Sequence, residues 1–221
     1  MLSFRVLQLA DSAFPAGALP HSGGLEAAVQ LGEVAGVEDV IAFGRQALWQ
    51  AGRGALPFVA SAHEARERLP ELDARCHAFV TGRVQRQASI AQGRAFVAAC
   101  ARSFPDVAAL ARLPELLRER AIEGHLPPIF GAALSALGVT RVEAEALYLH
   151  QTVRGVLSAA VRLGRMGPFE AQKVQQTLAP LMDEVLSTCA GTPAEQATQV
   201  APLVELLGAQ QDRLFHRLFQ S

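Results

Sequence analysis

Thr140-Arg141-Val142-Glu143-Ala144-Glu145-Ala146-Leu147-Tyr148-Leu149-His150-Gln151-Thr152-Val153-Arg154-Gly155-Val156-Leu157-Ser158-Ala159-Ala160-Val161-Arg162-Leu163-Gly164 is the stretch that decides the fold. Its apolar positions Val142, Ala146, Leu149, Val153, Val156, Ala160 and Leu163 recur every third or fourth residue, which places them on one stripe of a long helix. Thr140 and Glu143 form a capping box, in which each side chain satisfies a backbone N–H of the other's end. Gly138 suits the left-handed end of the helix before it.

The same period extends in both directions. Downstream, Gly167-Pro168 opens a helix striped by Val174, Leu178, Leu181 and Val185 and closed near Gly191. Thr192-Pro193-Ala194-Glu195 is a second capping box, and it predicts a C-terminal helix striped by Val200, Leu203, Val204, Leu207, Leu214 and Leu218. Upstream, residues 86–104 carry Ile90, Val97 and Ala101 at helical spacing, and segments 37–51, 55–68 and 106–122 also read as helices. No sustained period-two alternation and no Asn-Gly or Asp-Gly hairpin signal occurs, so no strands are expected. Short breaks at Gly52-Arg53-Gly54, Ser103-Phe104-Pro105, Pro127-Pro128 and Gly164 to Pro168 read as turns between helices rather than a linker. The expectation is an all-α fold, with residues 1–221 forming a single-domain bundle of about eight to ten helices.

Of the 221 residues, 50% are hydrophobic and 19% charged, enough to bury a sizeable core and too apolar for disorder. A net charge of -1 lacks the basic excess of a nucleic-acid binder. The three cysteines, Cys76, Cys100 and Cys189, are odd in number and far apart, so they read as buried thiols of a reducing cytoplasm. No run of about 18 apolar residues predicts a membrane span. The apolar run after Arg5 is interrupted by Gln8 and Asp11 and is too short for a signal peptide, so a cytoplasmic location is expected.

The least generic segment runs from Leu7 to Glu26, where Pro15, Gly17 and Pro20 hold an irregular loop and Ser22 reads as the cap of a helix starting at Gly23. Ser22 beside His21 fails as a nucleophile elbow, because Pro20 stands where glycine is needed and no strand precedes it. His21, His63, His77, His125, His150 and His216 are scattered, with no i,i+4 pair, and read as single solvated or core side chains rather than metal ligands. Gly52-Arg53-Gly54 lacks the remainder of a phosphate-binding loop. Arg83, Arg86 and Arg94 share a polar helix with Gln85, Gln87 and Gln92, either a solvated face or a docking face. In the tail, Leu214 and Leu218 continue the core stripe, while Phe215 and Phe219 form a second one beside Arg213 and Arg217. Aromatics so near a chain end call for a groove to fill, in this protein or in a partner.

These residues carry a resemblance to the UreF family of urease accessory proteins. Leu7-Gln8-Leu9 through Phe14-Pro15-Ala16-Gly17 to Ser22-Gly23-Gly24-Leu25-Glu26 is similar to the family's N-terminal hallmark. Arg86-Gln87-Ala88-Ser89 with Gln92-Gly93-Arg94 resembles its middle helix, and His125-Leu126-Pro127-Pro128-Ile129-Phe130-Gly131 its central segment. Ser158 to Leu163 and the ending Arg217-Leu218-Phe219-Gln220-Ser221 follow in the same order, so the likeness covers nearly the whole chain. It departs at Leu19-Pro20-His21, where the family has an aromatic and then tyrosine, and at Ala171, where glycine is common.

The resemblance implies a cytosolic, homodimeric, non-enzymatic adaptor without cofactor. Such an adaptor binds urease accessory protein D (also called H) and brings the nickel-carrying accessory GTPase G to apo-urease, with no nucleic acid or membrane involved. It implies partner contacts at Pro15, Gly17, His21, Ser22, Gly24, Leu25 and Glu26, mostly shaping a loop, with Glu26 and His21 as the surface candidates. It implies further contacts at Arg213, Phe215, Arg217, Leu218 and Phe219. Two alternatives stay open. A small helical enzyme of heme-oxygenase-like architecture needs a pocket with converging acid, base or nucleophile. The ligand-binding part of a transcriptional regulator needs a basic helix-turn-helix at one end, and neither end has one.

Overall fold

The computed structural model describes residues 4–15, 22–202, 206–207 and 218–219. Ten α-helices and no strand occur among them: α1 (Phe4–Ala10), α2 (Leu25–Gln30), α3 (Val37–Gln50), α4 (Leu56–Glu64), α5 (Leu69–Phe79), α6 (Arg83–Ser103), α7 (Arg112–Arg118), α8 (Leu126–Ala136), α9 (Arg141–Arg162) and α10 (Pro168–Cys189). The architecture is an all-α bundle in which the strongly apolar α8 lies inside, packed on α4, α5, α6 and α9.

The long helix predicted from residues 140–164 is α9, and its capping box forms. Thr140 Oγ1 accepts the Glu143 N–H at 3.3 Å, and Glu143 accepts the Thr140 N–H at 3.1 Å. One end of the stripe is different from expectation: Val142 is 52% exposed, while Glu145 on the inner face is fully buried. Glu145 accepts from Arg141 at 2.8 Å and from the Gly191 N–H at 2.8 Å, so it ties the start of α9 to the end of α10.

Gly131 shows why α4 and α8 make the most extensive pairing in the bundle. A Cβ built there would lie 2.1 Å from the Val59 carbonyl oxygen, so only glycine lets the two backbones approach this closely. Five of the rings form one chain through the core. Phe14 touches Phe104 and Phe96, Phe96 stacks on Phe130 at 5.0 Å, and Phe130 meets the edge of Tyr148 at 5.3 Å. Each such pair adds about 1 kcal/mol beyond the area it buries. Together they fasten the N-terminal segment to α6, α8 and α9.

Four expectations are corrected. Gly52-Arg53-Gly54 is not a turn between helices but part of a π-helical turn, Ala51–Ala55, through which α3 runs on into α4. A Cβ on Gly52 would be 2.4 Å from Val185 Cγ1, so this glycine serves contact with α10. Residues 106–122 break into a 3-10 turn at Ala108–Leu110 and the short α7. The box at 192–195 opens only a 3-10 turn, Ala194–Gln196. After it the backbone N–H groups of Thr198, Val200 and Ala201 are met by the Arg53 carbonyl and by Gln50 Oε1, which removes the need for helix there. Leu203, Val204 and Leu214 of the expected stripe lie outside the described residues. Finally, α2 begins at Leu25, with the Ser22 hydroxyl accepting the Glu26 N–H at 3.4 Å, two residues later than expected.

Candidate interaction site

Gly23 and Gly24 both take left-handed φ angles, +63° and +94°, a conformation that costs a residue with a Cβ about 1 kcal/mol or more. This double turn aims Glu26 inward. Glu26 is 1% exposed, and its carboxylate accepts the N–H groups of Leu218 at 2.6 Å and Phe219 at 3.2 Å. The Phe219 ring is buried beneath the Arg162 guanidinium, 4.3 Å from the ring centre, as a cation–π contact.

The structure thus brings Ser22, Gly24, Leu25, Glu26, Leu218 and Phe219 into one unit. It corrects the expectation that Glu26 is a surface residue, since its carboxylate is spent on the chain's own backbone. Phe219 fills a groove of this protein itself. Pro15 and Leu218 are exposed, whereas Ser22, Gly24 and Leu25 are buried. Gly17, His21, Arg213, Phe215 and Arg217 lie outside the described residues. Arg162 was missed as a member of the unit, because nothing in the sequence pairs it with an aromatic 57 positions away.

A neighbouring contact pins α1 to α9. Arg154 and Gln151 donate to the carbonyls of Ala10 at 2.6 Å and Leu9 at 3.1 Å, and Arg5 donates to the Leu137 carbonyl. These bonds supply the orphan carbonyls of the helix end. They leave Phe4, 87% exposed, and Leu7, 49% exposed, facing outward one turn apart.

A second buried polar cluster sits where α5, α6 and α8 meet. Both oxygens of the buried Asp73 carboxylate accept from the backbone at the start of α8: Glu123 N–H at 2.6 Å, Gly124 at 3.2 Å and His125 at 2.7 Å. The fully buried His125 ring places Nδ1 3.1 Å from Ser89 Oγ and Nε2 3.1 Å from His77 Nδ1. Two of the six histidines are therefore paired, a correction to the reading that all six stand singly. Arg86 and Arg94 of the polar helix donate to the carbonyls of Val80 at 3.0 Å and Glu123 at 2.9 Å.

Burial pushes the His125 imidazole down to about 4, with His77 adding to the effect and Asp73 opposing it. Burial thus favours the neutral imidazole and makes it a poor general base. Ser89 Oγ also accepts the Leu126 N–H at 3.2 Å, which ties α6 to the first turn of α8. The cavity of about 310 Å³ that Ser89 borders is lined by apolar groups and neutral amides and hydroxyls such as Gln50, Gln92, Tyr148 and Thr152. Among the described residues its lining brings together no converging acid and base, the requirement of the enzyme alternative. Among the described residues, no three His, Cys, Asp or Glu side chains are placed to share a metal ion. The three cysteines are free and buried, and burial pushes Cys100 up to about 12.

Fold and site together define a rigid helical scaffold whose buried polar groups lock its own backbone. The UreF family model matches residues 34–179. Urease accessory protein F of Arabidopsis thaliana is 35% identical over 217 residues, which cover 97% of this chain and 90% of that one. The protein of the same name from Oryza sativa subsp. indica is 34% identical over 96% of this chain and 82% of its own length. Urease accessory protein UreF of Trichodesmium erythraeum is 30% identical over 97% and 94%. This chain belongs to the UreF family of urease accessory proteins.

Proposed function

We propose that this chain is the adaptor of urease maturation, holding accessory protein D (H) and the nickel-carrying GTPase G in register on apo-urease so that nickel reaches the enzyme's active site. In this reading it works in the cytoplasm as a homodimer, and nickel is cargo of the assembly rather than its own ligand. The observation that carries the proposal is the near-full-length likeness to urease accessory proteins of two plants and a cyanobacterium. Supporting it, large apolar side chains stand exposed on a rigid frame: Phe4 and Leu7 on α1, and Leu218 beside the Glu26 unit. Exposed apolar groups beside polar rims are what protein interfaces bury.

The buried members of the unit, Ser22, Gly24, Leu25, Glu26 and Phe219, shape the surface, and the exposed Pro15 and Leu218 touch the partner. Gly17, His21, Arg213, Phe215 and Arg217 extend that contact. Leu218→Asp in the full chain is expected to cut co-purification with the D/H protein by about tenfold or more while leaving the melting temperature unchanged. Phe219→Ala is expected to lower the melting temperature itself, because it empties an internal groove. Undiminished capture of the D/H protein by Leu218→Asp would remove Leu218 from the interface. Failure of the unaltered chain to capture either the D/H protein or the GTPase would end the adaptor reading.

A further inference from the structure

Several arginines among the described residues already have a carboxylate. Arg68 meets Glu71 and Glu195, Arg94 meets Glu123, Arg112 meets Glu115 and Glu119, and Arg141 meets Glu64 and Glu145. Arg45 and Arg53 stand among those that do not. Both are exposed, and among the described residues neither forms an ion pair. They lie four residues to either side of Trp49, and all three border one open groove of about 500 Å³.

The opposite wall of that groove is Val200, Ala201 and Pro202. It is fixed in place rather than loosely apposed. Gln50 Oε1 accepts the N–H groups of Val200 at 2.9 Å and Ala201 at 3.0 Å, and the Arg53 carbonyl accepts from Thr198 at 3.0 Å. Val200 is 46% exposed, so the wall offers apolar surface to an incoming group. The groove therefore has two cationic rims, an indole between them and an apolar side, with no carboxylate among the described residues that line it.

The geometry points to this groove as a docking site for an acidic helical segment of a partner polypeptide, with two carboxylates reaching Arg45 and Arg53 and an apolar side chain between them against Trp49 and Val200. Eight residues along a helix span about 12 Å, so a partner helix with carboxylates eight positions apart matches the rims. Guanidinium groups recognise carboxylates through paired, charge-assisted hydrogen bonds, and Trp and Arg are the residue types that anchor interfaces. Nucleic acid fits less well. Among the described residues the groove holds a single indole, where single-strand binders line up successive aromatic rings. Two arginines on a chain of net charge -1 also make no phosphate track.

Trp49 is the only tryptophan, so its emission reports on this groove alone. The probe is an alanine-rich helical peptide with glutamates eight positions apart and a leucine midway, titrated into the full chain and followed by Trp49 emission and by anisotropy of a labelled copy. Saturable binding is expected, weakened about tenfold or more by glutamate-to-glutamine replacement in the peptide and by the double variant Arg45→Ala/Arg53→Ala. Circular dichroism is expected to show both proteins equally folded, since the two side chains are exposed. No saturation by about 1 mM peptide, or equal binding of the glutamine peptide or by the double variant, overturns the proposal. Tighter binding of a single-stranded oligonucleotide than of the peptide overturns it too, in favour of nucleic acid. The result is independent of the adaptor role, because peptide binding is read on the isolated chain without urease, GTPase or D/H protein.

Discussion

Asp73 works as an organiser of backbone rather than as an acid. Its two oxygens take the N–H groups that the first turn of α8 leaves without intrahelical partners, and a negative charge at that end also suits the helix dipole. Asparagine has nearly the same shape, yet its NH2 group would face the N–H of Glu123 or His125, donor against donor. Asp73→Asn is therefore expected to lose about 3 kcal/mol in urea unfolding, far more than its size change suggests. A loss under about 1 kcal/mol would mean that the start of α8 holds without the charge. Glu26 plays the same part for the other end of the chain, and Glu145 for the junction of α9 and α10. These three acids show where reading residues from sequence stops. An acid in an amphipathic helix looks solvated, and its burial depends on a backbone N–H supplied from dozens of residues away, which no local spacing encodes.

Among the elements, helices with strong local punctuation were legible and those set by tertiary partners were not. α9 has a capping box at one end and a glycine at the other, so its period, start and stop agree, and it forms where the spacing puts it. At Gly52-Arg53-Gly54 the same glycine signal suggests a break, but the glycines answer to α10 pressing on them and the helix passes through as a π turn. After Pro193, Gln50 and Arg53 capture the backbone of Thr198, Val200 and Ala201, and helix is found only further on, at Pro202, Leu206 and Leu207. Of the expected site, the sequence singled out the N-terminal segment and the tail end as two separate features. It could not reveal that Glu26 and Phe219 are turned inward, toward each other's neighbourhood. Element packing also carries a test. Gly131→Ala must push apart α4 and α8, because the new methyl meets a backbone oxygen that cannot rotate away. A loss of about 3 kcal/mol in thermal or urea unfolding is expected, and a neutral result would show that the two helices can separate without cost.

At the scale of the whole molecule, buried imidazoles make stability depend on pH. His125 in the folded state titrates near 4, below its ordinary 6.5, so the unfolded chain takes up the proton first as the solution is acidified. The stabilisation is fully present above about pH 6.5 and is lost between there and pH 4, at about 1.4 kcal/mol per unit for one group. His150, also lowered by burial, adds in the same direction, while Glu145, raised by burial, opposes it. Urea midpoints are expected to fall from pH 7 to pH 5, and the fall to be shallower in His125→Gln. A flat profile in the unaltered chain would contradict a buried neutral His125. The bond between Glu26 and the backbone of Leu218 has its own outcome at this scale. It joins groups 192 positions apart, so during synthesis the acid is made long before the amides that satisfy it. A nascent chain carries an ungripped carboxylate until Leu218 and Phe219 have been made, and a chain stopped before them keeps it. Synthesis of Leu218 and Phe219 is thus what finally seats the N-terminal segment, long after that segment itself is made.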